Sequence, residues 1–251
     1  MEYFEHGGAR MYYSRQGQGP PVVLVHGLSG SSLWWRRNVP VLAREFTVYT
    51  VDLVGFGQSG RQPVLPLKGS AALLANWLET LGLSKARLIG HSLGGQTALH
   101  LAARGAERLE GLVLVAASAL ASGRWWRMAA LLPQAGLAGA ADFLPTLAFD
   151  AARAGPLNLY RATREILRDD PKELLTALRL PTLLIWGERD VLIPGAMGRQ
   201  MQQAIAGSRL VVIPGAGHNV MYDRAAAFNA AVLPFLRHPQ APGPGPAPEA
   251  P

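Results

Sequence analysis

The stretch Gly90-His91-Ser92-Leu93-Gly94 constrains this chain more than any other. It follows the short apolar run Ala86-Arg87-Leu88-Ile89 and opens an Ala/Leu-rich helical run near Gly95. Strand, tight turn, helix is the context that gives a G-x-S-x-G match chemical meaning. Ser92 must sit at the tip of the turn in a strained backbone conformation that lifts its hydroxyl above the sheet edge. A side chain at position 90 or 94 would collide with the neighbouring strand and helix, so glycine fits there. The helix that follows aims its N-terminus, with free N–H groups, at the place where negative charge would develop.

The chain around this turn alternates strands with helices. Tyr3 to His6 and Arg10 to Arg15 flank the Gly7-Gly8 turn as a hairpin. Val22 to Val25 and Phe46 to Val51 are continuous apolar runs of the kind buried on both sheet faces. Gly111 to Val115, Thr182 to Trp186 and Arg209 to Ile213 complete the strands. Helices are expected over about 32–45, 70–81 with Gly82 as stop, 95–105, 196–206, and 223–236 with Asp223 as N-cap. This pattern predicts an α/β fold: a mostly parallel sheet with helices on both faces.

Residues 118–179 carry helical patterns and no convincing strand, and are read as an inserted helical cap. The core is then residues 1–117 together with 180–238. Residues 239–251 are Pro, Gly and Ala with one Glu, too poor in apolar side chains to fold, and are read as a disordered tail.

In open α/β sheets the active groups collect beyond the carboxyl ends of the strands. That rule selects among the polar residues. Asp190 follows the Thr182–Trp186 strand and His218 follows Arg209–Ile213, on the same rim as Ser92. A serine is a weak nucleophile without a base in reach and a third group to orient that base. His218 is the expected base and Asp190 the orienter, with Glu188 as the competing acid. Asp52 is expected to hold its glycine loop through backbone hydrogen bonds. His26 is expected to pack and hydrogen-bond in its loop, His91 to point elsewhere, and His100 to be structural. An oxyanion needs two backbone donors. The N–H of Leu93 follows the nucleophile, and Leu28, after the Val22–Val25 strand, is the second candidate.

At 251 residues and 49% hydrophobic side chains the chain can fill one core. It has no cysteine, which removes disulfides and thiolate zinc sites. The net charge of +7 comes from dispersed arginines with no reader motif, so no nucleic-acid partner is expected. The N-terminus lacks signal-peptide features and no apolar run reaches the roughly 18 residues of a membrane span. The expectation is a soluble cytoplasmic protein without stable membrane association, metal or other cofactor.

These residues resemble the α/β-hydrolase fold-1 family, in its esterase/lipase group. The matching features are His26-Gly27, Asp52 through Ser59, Gly90 through Gly95, Gly187-Glu188-Arg189-Asp190 and Gly217-His218. They run from the first strands to the last helix, leaving out the cap and tail. The resemblance implies an eight-stranded sheet, a Ser92–His218–Asp190 triad in that family's chain order, and an acyl-serine intermediate. Haloalkane dehalogenases and epoxide hydrolases of this fold use an aspartate nucleophile, which Ser92 argues against. Cofactor-free haloperoxidases (perhydrolases) share the pattern. C–C hydrolases usually carry Asn where His91 stands. Some members act as small-molecule signal receptors and keep the triad.

The expected substrate is a small to medium, mainly apolar carboxylic ester. Trp34, Trp125, Trp126 and Met128 are the candidate pocket residues, with Trp35 beside the first of them. Leu131 and Leu132 extend the apolar start of the cap, and Phe143, Leu144, Leu147 and Phe149 follow. Arg124 and Arg127 are placed to meet a substrate carboxylate or to face solvent.

Overall fold

A computed structural model describes residues 2–121 and 139–239. Trp125, Trp126, Met128, Leu131, Leu132, Arg124, Arg127 and the tail from 240 onward lie outside the described residues. Eight strands form one sheet: β1 (Glu2–His6), β2 (Ala9–Gln16), β3 (Pro21–Val25), β4 (Thr47–Asp52), β5 (Ala86–His91), β6 (Leu109–Val115), β7 (Thr182–Gly187) and β8 (Arg209–Ile213). Their order is β1-β2-β4-β3-β5-β6-β7-β8. Strands β3 to β8 are mutually parallel, and β2 runs antiparallel to both β1 and β4. Gly7 and Gly8 both have positive φ, at 58° and 79°, the geometry that a two-residue hairpin turn demands.

The sheet's alternation builds two cores. Val23, Val25, Leu88, Leu112, Leu114, Leu184 and Trp186 face one side. Val22, Leu24, Ile89, Val113, Val115, Leu183 and Ile185 face the other. Successive strand side chains point to opposite faces, so a continuous apolar run serves both layers at once. Three helices that matter for the site are α1 (Val39–Leu42), α2 (Leu67–Thr80) and α3 (Leu93–Gly105). Gly82 ends α2 in a left-handed conformation (φ 63°), and Leu83 N–H closes on Leu78 O at 2.9 Å. Between β6 and β7 the described residues are helical: α4 (Leu144–Arg168) and α5 (Lys172–Ala177), after short 3-10 turns. Then come α6 (Gly195–Ala204), α7 (Val220–Asp223) and α8 (Ala225–Arg237).

Two expected helices differ. Residues 32–45 form a 3-10 turn, Ser32–Trp35, and the single turn α1. Pro40 lacks the N–H that a continuous helix needs at that point, and the buried Asn38 side chain is drawn to Met221 O and Asn229 instead. Asp223 is not an N-cap. It ends α7, and its carboxylate accepts Ala140 N–H and Gly217 N–H, each at 3.0 Å. The cap residue of α8 is Arg224, which makes no side-chain capping bond.

From β3 the chain turns to β4 on one side and then to β5 on the other. The carboxyl ends of β3 and β5 therefore flank a topological switch point, where loops diverge and leave a crevice. The loop after β3 carries Leu28, and the turn after β5 carries Ser92.

Candidate active site

Ser92 lies between β5 and α3 with φ 50°, a left-handed conformation unusual for a residue with a side chain. Its backbone is held on three sides. Ser92 N–H donates to Val115 O at 2.9 Å, and Ser92 O accepts from Gln96 N–H (3.1 Å) and Ser118 N–H (3.2 Å). The glycines around it are required by close approach. A Cβ on Gly90 would stand 2.5 Å from Gly94 O, and one on Gly94 would run into the carbonyls of Val25 and His26. Ser92 is 7% exposed, and its Oγ makes no hydrogen bond among the described residues.

Asp190 and His218 meet. His218 Nδ1 and Asp190 Oδ2 are 2.8 Å apart. The other carboxylate oxygen accepts Leu192 and Ile193 N–H groups, both at 2.9 Å. An ionised carboxylate only accepts, so Nδ1 donates this bond, and in the neutral ring Nε2 is the nitrogen with the lone pair. The two loops are in contact, since a side chain on Gly187 would strike Ala216 and Gly217. Glu188, the competing acid, instead receives Gly215 N–H at 2.9 Å.

The loop after β3 turns tightly, with Gly30 N–H bonded to Gly27 O at 3.1 Å and Ser29 at φ 62°. Neither Leu28 nor Leu93 N–H has a hydrogen-bond partner among the described residues. His26 braces the loop from beneath: Nδ1–H donates to Gly27 O (2.7 Å), and Nε2 accepts Leu53 N–H (3.0 Å). Burial lowers its pKa, opposed by the nearby Asp52 charge. Asp52 accepts Ser32 N–H at 2.6 Å and Gln58 N–H at 2.7 Å, tying the loops after β3 and β4 together. His100 pairs with Asp169 at 2.9 Å, away from these loops.

His91 departs from its expected role. Its ring lies 4.8 Å from the His218 ring, centroid to centroid, and Nε2–H donates to His218 O at 3.0 Å. Nδ1 is buried without a hydrogen-bond partner among the described residues. Burial, and then the proximity of His218, hold its pKa well below 6.5.

Trp34 is buried beside the site, its ring 5.7 Å from His91 and 5.4 Å from Phe143. Trp35 packs in the same core as Trp34, against Phe228. Asp150, on α4, belongs to no sequence motif named above, yet it accepts Ser31 Oγ–H (2.8 Å) and Trp34 Nε1–H (2.9 Å). The available hint was its spacing. Asp150, Ala154, Asn158, Ala162 and Ile166 recur every four residues and form the buried stripe of α4, with two polar residues in it. Among the described residues no cluster of three or more His, Asp or Glu is arranged to hold a metal ion, and no helix is long and apolar enough to cross a membrane.

The family model described as alpha/beta hydrolase fold matches residues 20–148, and one described as TAP-like protein matches residues 162–248. The chain belongs to the α/β-hydrolase family. It is 34% identical over 217 residues to a pimeloyl-[acyl-carrier protein] methyl ester esterase of Aeromonas hydrophila, covering 72% of this chain and 82% of that one. The bromoperoxidase structure from Bacillus anthracis superposes with a TM-score of 0.81 at 26% identity, over 91% of this chain and 95% of that one. A thermophilic esterase from Thermogutta terrifontis gives 0.78 at 27% identity, over 94% and 96%.

Proposed function

We propose that this protein is a serine hydrolase that cleaves a small to medium, mainly apolar carboxylic ester through an acyl-serine intermediate. The observation that carries this reading is the His218–Asp190 hydrogen bond, 2.8 Å, on the strand-end rim shared with a strained Ser92 whose Oγ has no partner among the described residues. In this mechanism Ser92 Oγ attacks the ester carbonyl as His218 Nε2 takes its proton, and Asp190 steadies the imidazolium. The N–H groups of Leu28 and Leu93 receive the oxyanion. His218 then protonates the leaving alcohol. Water, activated by the same ring, releases the acid and restores Ser92. The pimeloyl methyl ester esterase and the Thermogutta esterase among the similar proteins support ester cleavage.

Residues 118–179 act in this reading as a cap over the site, setting acyl-chain preference, with Trp34 on the pocket wall. Short to medium uncharged acyl chains are the expected substrates. A panel of p-nitrophenyl esters tests this, and reaction of charged or very long chains alone would overturn it.

The mechanism is tested with a fluorophosphonate probe and turnover of p-nitrophenyl acetate and butyrate. Ser92→Ala is expected to abolish labelling and to lower kcat by about three to six orders of magnitude. A Ser92→Ala variant that keeps its esterase rate would exclude Ser92 as nucleophile. Labelling at Ser92 with negligible multiple turnover would favour a slow-turnover receptor. The similarity to the bromoperoxidase supports a second reaction on the same acyl-serine, with hydrogen peroxide in place of water. Adding peroxide to the ester assay and measuring peracid separates the two.

A further inference from the structure

We propose that Asp150 is a positioning residue for the oxyanion loop: by holding Ser31 Oγ and Trp34 Nε1 it fixes the Gly27–Gly30 turn that carries the Leu28 N–H. This rests on the serine-hydrolase reading above.

The carboxylate is 1% exposed, on the buried stripe of a helix between β6 and β7. An apolar residue there would avoid the desolvation of a charge, so the carboxylate is justified only by what it holds. Burial raises the Asp150 pKa, and its two hydrogen bonds pull it back. Both donors come from one short segment. Ser31 caps the 3-10 turn Ser32–Trp35, its Oγ accepting Leu33 N–H at 3.3 Å while donating to Asp150. Trp34 lies directly on the oxyanion turn: a Cβ on Gly30 would stand 2.9 Å from its indole. At the start of the turn, a Cβ on Gly27 would stand 2.6 Å from His91 Nδ1. Both rings, 5.7 Å apart, rest against the turn, and Asp150 holds the tip of one of them.

A second line of contact runs from the same carboxylate. Trp34 packs on His91, and His91 Nε2–H holds the His218 carbonyl. Asp150 therefore reaches both the oxyanion turn and the base through one intermediary each. It is not hydrogen-bonded to Ser92, His218 or Asp190. Losing it removes two hydrogen bonds and frees the indole to rotate off Gly30.

The test compares Asp150→Ala, Asp150→Asn and Trp34→Phe with the native protein on p-nitrophenyl butyrate. Affinity for butylboronic acid, whose boron takes Ser92 Oγ into a tetrahedral adduct, is measured in parallel. Asp150→Ala is expected to lower kcat about 100-fold, the scale of one misplaced oxyanion donor, with KM nearly unchanged. Boronate affinity should fall in step, because the adduct mimics the transition state. Asp150→Asn keeps an acceptor for both donors and should stay within about fivefold of native. Trp34→Phe removes the indole donor and part of the ring that rests on Gly30, keeps the Ser31 bond, and should lie between. If Asp150→Ala fails to fold, Asp150→Asn and Trp34→Phe still decide the matter. A change in KM alone, an Asn variant as poor as Ala, or unchanged boronate affinity would overturn the proposal. Failure of the underlying reading looks different: the native protein would escape fluorophosphonate labelling and Ser92→Ala would keep its rate.

Discussion

His91 is an imidazole that folding keeps neutral, and it stands against another imidazole that the proposed reaction must charge. Its Nδ1 faces the Gly27 backbone without a partner among the described residues, and its Nε2–H is committed to His218 O. A folded pKa held below the ordinary 6.5 has a definite thermodynamic sign. Between the two values the unfolded chain binds more protons than the native one, so stability rises with pH. The stabilisation is full above about pH 6.5 and is lost as pH falls from there towards the depressed folded value. His26 adds in the same direction. Thermal unfolding from about pH 7 to about pH 5 is expected to show a falling midpoint, with a shallower fall in His91→Gln. An unaltered slope in that variant would mean that His91 is not held neutral. At this scale the sequence is unevenly legible. Ser92, Asp190 and His218 each follow a recognisable strand, and the rim rule singles them out without coordinates. Asp150 follows no strand, and its partner Ser31 is 119 positions away. Only the fold brings them together.

Whole elements were legible where periodicity is long and strong. The strands and α2, α3 and α6 fall within a few residues of their apolar patterns. The failures lie where local signals compete with tertiary partners. The stretch 32–45 has helical spacing, but Pro40 and the outward pull on Asn38 reduce it to one 3-10 turn and one α-turn. Asp223 has the look of an N-cap, but two distant N–H groups claim its carboxylate. Helix α4 holds a break that its sequence announces. Gly155 adopts φ 74° and ψ 159° just before Pro156, a region open almost only to glycine. Space is not the constraint, since a Cβ there would meet nothing within 4 Å. Gly155→Ala should therefore destabilise by a purely conformational amount, about 1–3 kcal/mol. Urea unfolding measures this, and an alanine variant of native stability would show that the bend is not required. The break separates the half-helix holding Asp150 from the half holding Asn158, whose amide donates to Gly55 O and Gln62 O.

At the scale of the molecule, the sheet's order could not be read from the chain, because periodicity says which runs are strands but not which are neighbours. The order sets a gradient of protection. Strands β3, β5 and β6 are buried on both faces, whereas β1 and β8 are edges with exposed side chains, Val212 on β8 reaching 42% exposure. Amide exchange is expected to be slowest in β5 and β6 and fastest in β1 and β8. Equal protection of β8 would indicate that another chain covers that edge. The same order has a practical corollary for engineering. β6 and β7 are adjacent and parallel, Leu112 opposite Thr182 and Val115 opposite Ile185. The segment that departs after Val115, at the carboxyl end of β6, therefore has to cross back to the amino end of β7 before it re-enters the sheet. Its two ends lie at opposite rims of the sheet, so a foreign segment spliced in there keeps strand register only if it is long enough to make that crossover. A graft that made the crossover but omitted an acceptor for Ser31 and Trp34 would still leave the turn after β3 loose.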